Sequence, residues 1–152
     1  MTERASDLLS KLAERLSADA GESGLVAAES VRSLAPEILK SQKGGSVDEL
    51  VKTSEKFIEL LFRSLNADSR IPWVEYYAIA REASRRYAEK GIPLEALMEG
   101  LSVFRRSVIA RVTEEVEGDV GAEEAIRLAQ GRVGEVIEHM NSSFIRGYLD
   151  FT

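Results

Sequence analysis

His139 is the side chain of this sequence best suited to metal, haem or phosphoryl chemistry, and it is the only histidine among the 152 residues. A metal site would need further ligands close by, and haem would need an axial ligand within a deep apolar pocket. The surrounding residues, EHMNSSF, lack the glycine and lysine spacing expected of a phosphotransfer site. We therefore interpret His139 as a residue on a helix surface or at a dimer interface, with phosphoacceptor and haem ligand as the alternatives.

Motifs for covalent or hydrolytic catalysis are missing from the sequence. It contains no cysteine, which excludes disulfides, thiolate metal sites and cysteine nucleophiles. A lone histidine near the C-terminal end gives no basis for an activated serine. Neither a glycine-rich phosphate loop nor the Glu-x-x-His motif of di-iron bundles occurs. The acidic pairs Glu114-Glu115 and Glu123-Glu124 fit solvated helix ends, so we expect no enzymatic activity, no metal and no cofactor.

Aromatic side chains crowd the middle of the sequence, and arginines lie among them. Their spacing is typical of core packing, yet tyrosine hydroxyls need a hydrogen-bond partner or solvent. A pocket between the two helices that carry them, edged by tyrosines and arginine, would hold a small ligand. The predicted ligand-binding residues are Trp73, Tyr76, Tyr77, Arg81, Phe104 and Arg105.

These residues belong to two predicted amphipathic helices within the stretch from Trp73 to Val116. Apolar residues recur at three- and four-residue spacing on both sides of a short break. Gly91 suits the left-handed position after the first helix, and Pro93 suits the opening turn of the second, where its missing N–H costs nothing. We predict a helical hairpin around which the rest of the chain packs.

Helical periodicity extends through the other segments, and none shows the alternation of a β-strand. We expect the glycines at 21 and 24 to separate the first two helices. Pro36 is expected to end one helix near Ser33 and to start another near Ala35, and a capping box is expected to begin at Ser46. The predicted spans outside the hairpin are Thr2–Ala18 with Thr2 as N-cap, Leu25–Gln42 with the break, Ser46–Leu65, and Ala122–Tyr148.

The last predicted helix carries apolar residues at alternating spacings of three and four. This pattern suits a helix that lies along a bundle or pairs with its own copy. Its interior glycines, Gly131 and Gly134, each cost roughly 1 kcal/mol relative to alanine, which indicates either close helix contact or a softened point that transmits movement. We predict that this helix joins a homodimer and transmits a signal through Val133, Val136, Met140 and Phe144.

Length and composition indicate a single domain over residues 1–152. A hydrophobic content of 44% with 30% charged residues is ordinary for a soluble globular protein. The N-terminal residues, MTERASDLL, do not form a signal peptide, and no apolar run approaches the roughly 20 residues needed to cross a bilayer. A net charge of −6 disfavours nucleic acid. We expect a cytoplasmic protein that binds neither nucleic acid nor membrane.

The run from Tyr87 to Met98, YAEKGIPLEALM, resembles the hairpin motif RxxAxxGxxLExLL of a bacterial sensory domain. That domain is the N-terminal domain of the RsbT co-antagonist proteins, also found ahead of PucR-type regulators. The resemblance spans Leu25 to Leu149 and includes the segments LAPEIL and SVFRRSVIARV. It implies a globin-like helical fold without haem, which agrees with the lack of histidine in the middle helices. It also implies a dimer whose last helix passes a signal to a C-terminal output domain.

The predicted fold is therefore all-α, a globin-like bundle of about six helices with a central helical hairpin and a long C-terminal helix. We expect a non-enzymatic bacterial sensory module of stress-response regulation, either the N-terminal part of a longer regulator or a protein that acts through a partner. It would bind a ligand or partner and transmit the signal through its dimeric last helix. The alternatives are a haem- or small-ligand-binding globin-like sensor or carrier, and a histidine phosphotransfer protein.

Overall fold

The structure is a computed structural model that describes residues 3–34, 46–66 and 70–151, without the side chains of residues 3, 27, 30–34, 46–51 and 151. These residues form six α-helices and no β-strand. None of the six combines the length and the hydropathy that crossing a membrane requires. The predicted all-α class is confirmed, and the relation to globins stays a prediction. The helices are α1 (Glu3–Ala18), α2 (Ala20–Leu34), α3 (Ser46–Ser64), α4 (Trp73–Glu89), α5 (Leu94–Val116) and α6 (Ala122–Phe151).

Three phenylalanines from three helices form the centre of the core. Phe57 of α3 lies against Phe104 of α5, with 6.0 Å between ring centroids, and against Phe144 of α6 at 5.3 Å. Leu9 and Leu16 of α1 are fully buried and extend this core where α1 packs on α3. Each large apolar side chain buried in this way stabilises the fold by about 1.5–3 kcal/mol. The rings therefore hold α3, α5 and α6 together.

The boundary between the first two helices differs from the prediction. α2 begins at Ala20 and runs without interruption through the glycines that were expected to separate the helices, so that prediction is wrong. A Cβ on Gly24 would lie 2.6 Å from the Cα of Glu55, which shows that α2 crosses α3 too closely for a side chain at this position. This glycine permits helix packing, whereas the sequence suggested a break.

Three further predictions involve residues or side chains outside those that the structure describes. The third helix begins at Ser46 as predicted, but the capping contacts of that residue lie outside the described side chains. The N-cap role of Thr2 and the break at Pro36, with the helix beyond it, also lie outside the described residues.

The turn between α4 and α5 has the predicted form, but the two helices are packed differently from the prediction. Gly91 adopts a φ of 77°, the left-handed conformation that suits glycine. Both helices make their extended contacts with α6, and they do not pack along each other. The prediction of a hairpin as the organising element is therefore wrong. Sequence spacing shows which face of a helix is apolar, but it does not show which helix covers that face.

The antiparallel pair of this fold is formed by α5 and α6. Residues 117–121 join them, and Gly118 and Gly121 in this turn have φ angles of 83° and 85°. Arg105 of α5 lies beside Gly134 of α6, with its Nη2 atom 3.6 Å from the position of a Cβ on that glycine. α6 is 30 residues long and also packs against α1, α3 and α4. It is the helix around which the described part of the chain is organised.

Candidate ligand site between α4 and α6

The backbones of α4 and α6 come unusually close where the two helices cross. A Cβ on Gly147 would lie 2.5 Å from the carbonyl oxygen of Arg81 and 2.8 Å from its Cα. Beside this point, the buried hydroxyl of Ser84 donates a hydrogen bond to the carbonyl oxygen of Phe144. Glycine on one helix and small residues on the other thus allow the approach, and the hydrogen bond fixes its register.

A depression of about 320 Å³ opens next to this crossing. Its volume lies at the lower end of the range of small-molecule sites, about 300–1,000 Å³. Four of its lining residues come from α6 and two from α4, so both helices must keep their relative position for it to exist. The lining residues are Tyr77, Arg81, His139, Ser142, Ser143 and Arg146.

Trp73 supports the aromatic side of the depression. Its ring stacks on Tyr77, with 5.8 Å between centroids and 24° between planes, and lies 5.3 Å from the ring of His139. Both distances fall within the range of favourable ring pairs, roughly 4.5–7 Å. One tryptophan of α4 therefore positions a ring on each helix at the edge of the depression.

His139 is exposed, although it contacts Trp73. An axial haem ligand lies in a deep apolar pocket, which this position does not provide. Within the part of the chain that the structure describes, no three histidine, cysteine or carboxylate side chains are grouped as metal ligands. Exposure does suit a phosphoacceptor, and that alternative stays a prediction.

Two arginines supply the positive charge of the depression. Arg81 forms an exposed ion pair with Asp150, with 2.5 Å between Nη2 and Oδ2. Arg146 is also exposed and has no carboxylate partner among the described residues. The next arginine along α4, Arg85, is bound to Glu82 on the outer face of that helix, at 2.7 Å. The arginines of the depression are thus Arg81 and Arg146.

The family model for the RsbT co-antagonist protein RsbRD N-terminal domain matches residues 24–152. The chain belongs to this family. No curated protein and no solved structure compared with the chain gives a match. The family match confirms the predicted resemblance and covers α3 to α6, the helices that build the depression and the phenylalanine core. An RsbRD N-terminal domain is a sensory and regulatory domain of stress-response signalling, not a known enzyme family.

In this RsbRD domain, only part of the predicted ligand set comes together. Trp73, Tyr77 and Arg81 lie at the depression, whereas Phe104 belongs to the core against Phe57. Arg105 lies on α5 beside α6, outside the depression lining. Ligand binding itself stays a prediction.

Tyr76, the sixth member of the predicted set, faces away from the depression. Consecutive residues of a helix differ by about 100° around its axis, so Tyr76 and Tyr77 lie on different faces. Tyr76 is 4% exposed and lies near the charged side chains of Arg63 and Glu59 on α3. Burial, together with the neighbouring Glu59, raises the pKa of Tyr76.

Sequence reasoning missed the contribution of α6 to the depression. The sequence predicts His139 on a helix surface or at a dimer interface, and Ser142 and Arg146 are absent from the predicted ligand set. Their spacing of three and then four residues places all three on one face of α6, and that pattern was available as a signal. What the sequence lacked was the identity of the helix opposite that face.

The four residues predicted to form the dimer contact lie inside the single chain. They are between 0% and 4% exposed and pack in the core of the RsbRD domain. They are therefore not available to a second copy in this conformation. Dimer formation stays a prediction, and the contact would have to be made by other residues. The four are Val133, Val136, Met140 and Phe144.

Proposed function

We propose that this RsbRD domain is a non-enzymatic sensor that binds a small ligand in the depression between α4 and α6 and transmits binding through α6. The observation that carries this proposal is that residues lining the depression are followed along α6 by residues of the core. His139 at the depression is followed by Met140 in the core, and Ser143 is followed by Phe144. A ligand that displaces a lining residue therefore also displaces the core residue next to it on the helix.

We propose that the two arrangements a sensor needs differ at the contacts of α4 with α6. Besides the close crossing at Gly147, the hydroxyl of Tyr148 donates a hydrogen bond of 2.7 Å to the carbonyl oxygen of Ile92, in the turn after α4. A ligand shifts an equilibrium only by its difference in affinity for the two states. A ligand held by both helices meets this condition, because any change in their crossing changes its contacts.

We further propose that the signal leaves through the C-terminal end of α6, to a second copy of the chain or to a regulatory protein partner. Ile145 and Leu149 are one helical turn apart on this end and are 37% and 59% exposed. They provide apolar surface where the residues predicted for the dimer do not. The name of the family, co-antagonist, supports a protein partner.

The test is complementation in the organism of origin. Deletion of the gene is expected to change the induction of general-stress genes, and the wild-type chain is expected to restore it. Ser142→Phe fills the depression without removing charge, so it should keep the fold and lose the response. Gln130→Phe introduces the same side chain at an exposed position of α6 and serves as the control.

Two results would contradict the proposal separately. An unaltered stress response in the deletion strain would refute the proposed regulatory function. A normal response from a folded Ser142→Phe variant would refute the assignment of the depression as the sensing site. Circular dichroism of both variants establishes that they are folded.

A further inference from the structure

We infer that the depression takes a single-ring aromatic molecule carrying a carboxylate or phosphate, and that this anion competes with Asp150 for Arg81. The inference rests on the proposed sensory function and specifies the ligand of the same site. It follows from the charges of the depression, from its aromatic edge and from the position of one ion pair.

The charges favour an anion. Arg81 and Arg146 both line the depression, and Ser142 and His139 add a hydroxyl and a ring that can donate hydrogen bonds. The chain as a whole has a net charge of −6, so this cluster is locally opposite in sign to the protein. Guanidinium groups bind carboxylate and phosphate through paired hydrogen bonds.

The aromatic edge favours a ring next to that anion. Tyr77 lines the depression and its ring is stacked on Trp73, so the tyrosine ring is held in place before a ligand arrives. A ligand ring can lie against it in the offset geometry that aromatic pairs prefer. The volume of about 320 Å³ suits a molecule with one ring.

The ion pair between Arg81 and Asp150 connects ligand binding to the end of α6. Both side chains are about half exposed, at 51% and 54%, and exposed ion pairs are weak. An anion in the depression can therefore take Arg81 away from Asp150. The last turn of α6 then carries a carboxylate that is no longer neutralised, at the end through which we propose that the signal leaves.

The experiment is a titration of the purified chain followed by the fluorescence of Trp73, its only tryptophan. The probes are phenyl phosphate, inorganic phosphate and the neutral benzyl alcohol. We expect a saturable change with phenyl phosphate, a weaker one with inorganic phosphate and none with benzyl alcohol at the same concentration. Contact of Trp73 with two side chains at the site makes it the reporter.

Three variants separate the roles of the charges. Arg146→Ala should weaken phenyl phosphate binding by about tenfold or more, the loss expected for a hydrogen bond between charged groups. Asp150→Asn should strengthen it several-fold, because Arg81 no longer has a competing carboxylate. Arg106→Ala removes an exposed arginine of α5, which pairs with Glu99, and should leave binding unchanged.

The inference is overturned by equal binding of benzyl alcohol, by unchanged binding in Arg146→Ala, by weaker binding in Asp150→Asn, or by no saturable signal with either anion at millimolar concentration. If any of these results is obtained while the deletion strain shows an altered stress response, the anionic ligand is refuted and the sensory function is retained. A deletion strain with a normal response would instead remove the sensory function, whatever the titration shows.

Discussion

Replacing Gly147 by alanine tests the closest contact in the structure. The new methyl carbon would lie 2.5 Å from the carbonyl oxygen of Arg81 and 2.8 Å from its Cα. Both atoms belong to the backbone of α4, so no side-chain rotation can make room. Restoring ordinary van der Waals contact requires the two helices to separate by about 1 Å, and interiors packed to crystal density resist such a shift.

The expected cost combines two opposing effects. Extra atoms in a well-packed contact typically destabilise a protein by about 1–3 kcal/mol, and the rigid backbone of α4 favours the upper half of that range. Alanine in a helix interior gains roughly 1 kcal/mol over glycine. The net loss is about 1–2 kcal/mol, which lowers the melting temperature by roughly 2–8 °C in a domain of this size.

Gly131→Ala is the matched control, because it makes the same chemical change on the same helix. A Cβ on Gly131 would have no neighbour within 4 Å, so only the gain of roughly 1 kcal/mol in helix propensity is expected. Urea unfolding followed by circular dichroism gives both free energies. If Gly147→Ala stabilised the protein as much as Gly131→Ala does, the close crossing of α4 and α6 would be refuted.

Four further variants test other contacts, each by urea unfolding. Gly24→Ala, whose Cβ would lie 2.6 Å from the backbone of α3, should cost a net of about 1–2 kcal/mol, whereas Gly21→Ala, which meets only a flexible side chain at 3.7 Å, should not destabilise. Tyr148→Phe should cost about 1–3 kcal/mol, because it leaves the buried carbonyl group of Ile92 without its hydrogen bond; a loss near zero would contradict that bond. Burial raises the pKa of Tyr76 above its ordinary value of 10.0, so its stabilising contribution is present below pH 10 and is lost as the pH rises through the folded-state pKa. Tyr76→Phe should therefore lose less stability than the wild type between neutral and strongly alkaline pH.

The sequence was sufficient to predict most helix boundaries. The starts of α3, α4 and α6 at Ser46, Trp73 and Ala122 agree with the predicted spans. In each case the apolar period and the flanking loop residues indicate the same boundary. The left-handed glycine at position 91 followed from the same local reasoning, because the conformation of a helix end depends on neighbouring residues alone.

The start of α2 could not be predicted in this way. Two glycines within four residues ordinarily indicate a loop, and the helix nevertheless continues through both. The reason is tertiary, since Gly24 lies against the backbone of α3. The same ambiguity applies to the last helix, where Gly147 permits a close crossing while Gly131 faces open space. A single sequence does not distinguish a glycine required by packing from one required by a turn.

The candidate site was predicted only in part for a related reason. The predicted ligand set includes Tyr77 and Arg81, which lie at the depression, and also Tyr76, which is buried on another face of α4. The predicted hairpin pairs α4 with α5, the next helix in the chain. In the structure the partner is α6, which contributes His139 and Arg146. The missing information was the order of the helices in space.

The contacts of α6 with α3 and with α4 differ in the kind of side chain that they bury. Toward α3, Phe144 of α6 meets Phe57, a contact between large rings whose separation would expose much apolar area. Toward α4, the buried residues near the crossing are small, among them Ala80 and Ser84. A ligand in the depression therefore acts on a contact between two close backbones, where even a displacement of about 1 Å is resisted. The rings of Phe57 and Phe144 meanwhile hold α6 against α3.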